Sequence, residues 1–181
     1  MEPTPPPPFG LSRETTIRRT ADGKWFQDGE AIDNEKLARA FDRWIELAED
    51  GRYCLKNDIN WAYFTLEGAP FFVRAVVLPG AQPDGSPELA EGVAAELLLS
   101  NDKRVALELS TLREGPDGAL YCDAYPGMPA RFDTHAAVQL GALLEEDAQG
   151  PYFRHGNERV HPPRVEDPLA AQPAPSAQGK R

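Results

Sequence analysis

Residues 22–73 carry a nearly unbroken run of folding signals and almost no catalytic ones. Asp22-Gly23, between weakly alternating residues 15–19 and 24–27, reads as a short hairpin, and Asp28-Gly29 marks a second turn. A helix follows. Asp33 can cap it, Ile32 can staple onto Leu37, and Leu37, Phe41, Trp44, Ile45 and Ala48 recur at helical spacing until Gly51 supplies a left-handed stop. Residues 52–55, 59–66 and 71–78 then read as strands, separated by turns at Lys56-Asn57-Asp58 and Glu67-Gly68-Ala69-Pro70. The economical arrangement is an antiparallel meander across the helix, with Trp25, Phe41, Trp44, Tyr53 and Phe71 in one core.

The middle strand is apolar on both faces. Ile59, Trp61, Tyr63 and Thr65 share one side, and Asn60, Ala62, Phe64 and Leu66 share the other. Either the strand is covered twice or one aromatic face is a contact surface.

Composition confines the folded part to residues 13–161. Residues 1–12 hold a run of four prolines and residues 162–181 are Pro-, Ala-, Gln- and Ser-rich, so both read as disordered tails. The Gly/Pro loop at 79–89 divides an N-terminal α+β roll-like part (13–78) from a more β-rich C-terminal part with one helix (90–161). The fold class expected is therefore α+β: two small, closely packed subdomains, each an antiparallel sheet against one helix. In the second part, 94–99 is ambiguous between helix and strand. The alternation of Val105, Leu107 and Leu109 favours a hairpin, 119–125 makes a strand, a helix is expected over 129–146, and a hairpin turning at Gly156 closes the fold.

With 181 residues and a net charge of −10, the chain repels phosphate backbones, which makes nucleic acid an unsuitable partner. Nothing approaches the ~20 apolar residues of a membrane span, and residues 1–12 have no signal-peptide pattern, so a cytoplasmic location is expected. Cys54 and Cys122 lack the spacing of a zinc site and read as buried thiols of a reducing compartment. No metal or cofactor is implied, and the sequence names no small-molecule ligand.

The pattern Asp22-Gly23-x-Trp25-Phe26-x-x-Gly29-x-x-Ile32, then Leu37-x-x-x-Phe41, Gly51-x-Tyr53-x-Leu55 and Glu67-x-Ala69-Pro70-Phe71 resembles a bacterial family, the domain of unknown function 1285 (DUF1285) family. In the second half, Gly127-x-x-Ala130-Arg131 is similar to that family's element opening its last helix, and Gly156 sits at its terminal hairpin turn. The resemblance implies two small α+β parts and no activity, none being established for the family. The family pattern carries Pro, Glu and Lys where this chain has Asp58, Asn60 and Trp61, and an acidic residue at Gly68. Any role of that Glu–Lys pair is thus absent here.

Catalytic signals are thin. Asp123, Arg131, Asp133 and His135 gather around the expected last helix, yet Asp133 and His135 would point apart on it. His155 and His161 lack further ligands, no Ser or Cys lies in a nucleophile motif, and the 83–87 turn is no phosphate cradle. The reading is a non-enzymatic binding protein that engages a protein partner or itself through Trp61, Tyr63, Asn60 and Arg131. The competing reading is a small hydrolase-like enzyme with a cleft between the halves near Arg131.

Overall fold

Short strands dominate a computed structural model of the chain, which describes residues 12–78, 93–155 and 157–170. The chain divides into two compact units between Pro70 and Phe71. The fold is mixed α+β and mostly sheet.

The first unit holds β1 (Arg18–Arg19), β2 (Trp25–Gln27), β3 (Glu30–Ala31), α1 (Glu35–Trp44), β4 (Ile45–Leu47), β5 (Tyr53–Lys56), β6 (Trp61–Tyr63) and β7 (Thr65–Leu66). The Asp22-Gly23 turn sets Arg18 opposite Phe26 and Arg19 opposite Trp25, and β7 adds in parallel on the far side of β1. The resulting order is β3-β2-β1-β7, beside a second sheet β4-β5-β6. Gly68 is required where the strands close on each other: a Cβ there would come within 2.8 Å of the Ala21 backbone.

Three expectations are corrected in this unit. The helix cap is Asn34, not Asp33, its side chain accepting from the Lys36 and Leu37 amides. The helix ends at Trp44, because Ile45–Leu47 is drawn into a hairpin with β5, and Gly51 (φ +82°) turns that hairpin instead of stopping a helix. The single strand expected over 59–66 is two strands, broken at buried Phe64, where the chain passes from one sheet to the other. Phe64 packs on Trp25 at 5.2 Å, and Trp25 and Phe41 meet edge to face at 5.2 Å.

The second unit holds β8 (Phe71–Val77), β9 (Glu96–Leu99), β10 (Arg104–Ala106), β11 (Arg113–Glu114), β12 (Leu120–Tyr125), β13 (Met128–Phe132), α2 (Thr134–Leu140), β14 (Leu144–Asp147), β15 (Gly150–His155) and β16 (Glu158–Val160). Its six-stranded sheet runs β10-β9-β8-β13-β12-β11 and its three-stranded sheet β14-β15-β16. The strand at 71–78 therefore does not continue the first meander. It pairs with β9 and β13, and Phe71 packs edge-on against Tyr125.

The long helix expected over 129–146 shrinks to Thr134–Leu140. Residues before it pair on both sides as β13, with Ala130 and Phe132 buried, and residues after it pair as β14. Tertiary pairing overrides the helical propensity of this stretch. Asp133 caps the short helix by accepting from the Ala136 amide. Pro129 sits in β13 beside an irregularity in the β12 register, where the missing donor is tolerated.

Each unit buries an arginine. Arg19 is fully buried and donates to the carbonyls of Ala69 and Pro70 and to Asp42, which also accepts the Trp25 indole N–H at 3.0 Å. Arg113 is 1% exposed and donates to the carbonyls of Thr111 and Pro168 and to Asp123. The segment expected to be a tail from Pro162 is thus corrected through Pro168: it pairs with Glu114 through Pro163 and Val165, and Pro168 is buried. A fixed partner, the Arg113 guanidinium, outweighs its tail-like composition. Residues 1–11, the loop expected over 79–89, the turn glycine Gly156 and residues 171–181 lie outside the described residues.

On β14 and β15, Arg154 grips Glu145 at 2.8 Å and the Tyr152 hydroxyl donates to the same carboxylate. These hydrogen bonds pull the Glu145 carboxyl down to about 2, from an ordinary value of 4.5.

Arg19→Ala should destabilise the protein by about 3–5 kcal/mol in chemical denaturation, because Asp42 is left without its buried counter-charge; an unchanged midpoint would contradict this role. A carboxyl NMR titration should place the Glu145 midpoint near about 2 and move it toward 4.5 in Arg154→Ala. Since the folded value is the lower one, this group stabilises the fold above the ordinary value and ceases to do so as pH falls through the folded one. A wild-type midpoint at 4.5 would contradict the network.

Candidate functional site

The turn between β5 and β6 is built by two asparagines. Asn57 Oδ1 accepts from the amides of Ile59 and Asn60, each at 2.9 Å, and the Asn57 amide donates to the Asn60 carbonyl at 3.0 Å. Asn60 Oδ1 in turn accepts from the Trp61 amide and from the Arg13 guanidinium. The turn is therefore held from inside, and the side chain that it carries outward is Ile59, 93% exposed.

Behind the tip, the aromatic face of β6 is covered by arginines. Arg13 donates to the Trp61 carbonyl at 2.6 Å and its guanidinium lies 4.3 Å over the Trp61 ring. Trp61 and Tyr63 meet edge to face at 5.0 Å, and Arg52 lies 3.3 Å over the Tyr63 ring while pairing with Glu14 and Asp50. The Tyr63 hydroxyl donates to Asp50. That bond raises the Tyr63 hydroxyl above its usual range, and the Arg52 bonds hold Asp50 below the carboxylate range. The outer edge of β6 is occupied as well: the Tyr63 amide donates to the Arg13 carbonyl, and Thr15 Oγ1 donates to the Tyr63 carbonyl.

Of the residues expected at a contact surface, Asn60, Trp61 and Tyr63 come together here. Trp61 and Tyr63 are half-buried, neither sealed in a core nor standing free, and among the described residues the covered Trp61 indole N–H has no hydrogen-bond partner. Arg131 is not part of this group; it lies on β13 in the second unit, paired with Asp117 at 2.9 Å. The sequence places Asn57 in the turn and Ile59 on the face of Trp61, but it did not mark Ile59 as the exposed residue of the tip, Asn57 as the side chain that holds the turn, or Arg13 as the cover of Trp61. An asparagine two residues before an isoleucine was the available signal for the first pair. Arg13, 48 positions from Trp61, left none.

A depression of about 190 Å³ opens beside Tyr63, lined by Glu14, Thr15, Arg52, Tyr53, Phe64 and Thr65. Its volume is below the ~300–1,000 Å³ of drug-sized ligand sites, and its one cation is already matched by two carboxylates.

The acid–base constellation expected around the last helix is dispersed. Asp123 holds Arg113, Arg131 holds Asp117, Asp133 caps α2, and His135 is exposed on it. His161 faces Asp147 at 3.5 Å and the Pro151 carbonyl at 3.2 Å. Cys54 and Cys122 are free and buried, and burial pushes the Cys122 thiol up to about 12. Among the described residues no group of three or more His, Cys, Asp and Glu is arranged to hold a metal, and no helix is long and apolar enough to cross a membrane.

No family model matches the sequence, and no curated protein matches it. Among solved structures, a DUF1285 family protein from Silicibacter pomeroyi DSS-3 is similar at 18% identity and a TM-score of 0.60, over 85% of this chain and 81% of that one. A DUF1285 family protein from Shewanella baltica OS155 is similar at 17% identity and a TM-score of 0.49, over 68% of this chain and 87% of that one. On the first of these likenesses, the chain has a DUF1285-like fold.

Proposed function

We propose that this chain is a non-enzymatic binding protein that engages a protein partner, or a second copy of itself, through the tip of the β5–β6 hairpin. The observation that carries the proposal is Ile59, 93% exposed on a backbone fixed by Asn57. A lone exposed isoleucine is ordinary on a protein surface. An isoleucine on a turn whose backbone is already ordered differs, because little further conformational entropy is lost when a partner covers it. Exposed Asn60 and the half-buried Trp61 continue the surface behind it, and tryptophan is the residue type most enriched at binding hot spots.

Two free, buried thiols fit a reducing cytoplasm. The hydrolase-like alternative near Arg131 draws no such support, since Asp123, Arg131 and Asp133 are each held in a separate structural contact and His135 stands exposed on α2.

The test is to compare wild type and Ile59→Asp in sedimentation velocity, for self-association, and in crosslinked pull-downs from the native organism. Burying an isoleucine contributes about 1.5–3 kcal/mol, so the variant should lose at least about tenfold in affinity with an unchanged thermal midpoint. Association by Ile59→Asp as tight as by wild type would overturn the proposal, and so would a chain that neither self-associates nor captures a specific protein.

A further inference from the structure

Four Asp-Gly steps lie among the described residues: Asp22-Gly23, Asp28-Gly29, Asp50-Gly51 and Asp117-Gly118. Each is a place where the glycine amide nitrogen can attack the aspartate side chain, since glycine has no Cβ to hinder approach. The attack needs a glycine N–H able to give up its proton and a carboxyl able to take one. The fold distributes these two requirements unequally.

At three of the steps both groups are tied. The Gly23, Gly51 and Gly118 amides donate to the carbonyls of Thr20, Ala48 and Gly115 at 2.9–3.0 Å. The Asp22 carboxylate is held by Thr20 and Lys24, that of Asp50 by Arg52 and Tyr63, and that of Asp117 by Arg131 and the Ala119 amide. The Asp22 and Asp50 carboxyls are held below their usual range by these hydrogen bonds, which opposes the protonation that the attack needs.

Asp28-Gly29 differs at both groups. It forms the two-residue turn between β2 and β3, Gln27 standing opposite Glu30, with Asp28 at φ +53° and Gly29 at φ +83°. Among the described residues the Gly29 amide has no acceptor. Among the described residues the Asp28 carboxylate has no cationic partner and accepts only the Thr16 hydroxyl, at 2.6 Å. Both residues are exposed, and nothing lies within 4 Å of a Cβ built on Gly29.

We infer that Asp28-Gly29 is a modification site at which the chain converts spontaneously to an isoaspartyl linkage, making this turn a substrate for isoaspartyl carboxyl methylation. The Gly29 nitrogen bonds to Cγ of protonated Asp28, and the carboxyl C–O bond breaks. Water leaves with the hydroxyl and the amide proton, and a five-membered succinimide results. Water then adds to either ring carbonyl. Addition at the main-chain carbonyl opens the ring so that the backbone runs through the former side chain, with no net gain or loss of atoms. The extra backbone carbon cannot be held in a two-residue turn, so the Gln27–Glu30 and Phe26–Ala31 pairs would separate.

The experiment ages the full chain at neutral pH and physiological temperature and quantifies isoaspartate at the four steps. It uses electron-transfer peptide mapping, with tritiated methyl transfer from S-adenosylmethionine by an isoaspartyl methyltransferase as a second readout. Asp28-Gly29 should accumulate isoaspartate several-fold faster than the other three, and the four rates should converge in denaturant. Any other step matching its rate in the native protein would overturn the inference. An equal lead for Asp28-Gly29 in denaturant would also do so, because sequence and not fold would then be the cause.

Discussion

Strands of two and three residues cannot persist on backbone pairing alone, and the first unit is built largely from them. What gives β1 its permanence is Arg19. Its guanidinium is wholly enclosed and bonded to the Ala69 and Pro70 carbonyls at the end of the unit and to Asp42 on α1. Asp42 also receives the Trp25 indole, so β1, β2, α1 and the 69–70 segment meet at one ion pair. Such a pair is costly to desolvate, and the bonds to two carbonyls and a carboxylate offset that cost. The second unit repeats the device with Arg113, Asp123 and the Pro168 carbonyl, which draws the 163–168 segment onto β11.

The hairpin tip stands apart from this framework. Its geometry comes from asparagine side chains bonding to adjacent backbone, and its flank from Arg13 and Arg52 stacked on Trp61 and Tyr63. Exchanging Ile59 would leave every one of these contacts in place. A surface residue that can be changed without cost to the fold is one that binding is free to specify.

The sequence made legible what local chemistry decides. The Asp22-Gly23 turn, the Phe41 face of α1 and the β5 and β6 strands follow from turn residues and apolar spacing. Elements governed by distant partners were not legible. Residues 128–132 have the composition of a helix start, yet strands β8 and β12 on either side make them a strand. Pro162 opens a stretch that looks disordered until Arg113 supplies a partner for Pro168. At the candidate site, the aromatic pair was visible, whereas the covering by Arg13 was not, because nothing local marks an arginine that will stack 48 positions away. The burial of Arg19 and Arg113 was likewise hidden, since arginine in a weakly patterned strand reads as surface.

Native-state hydrogen exchange tests the central claim most directly, namely that the Arg19–Asp42 pair joins the short strands to α1 as one cooperative element. If it does, the paired amides of β1, β2 and β7 will open at the same denaturant-dependent free energy as those of α1, and Arg19→Met will lower all of them together while the second unit's amides keep their protection. Fast, independent exchange of β1 and β2 beside a fully protected α1 would contradict the account.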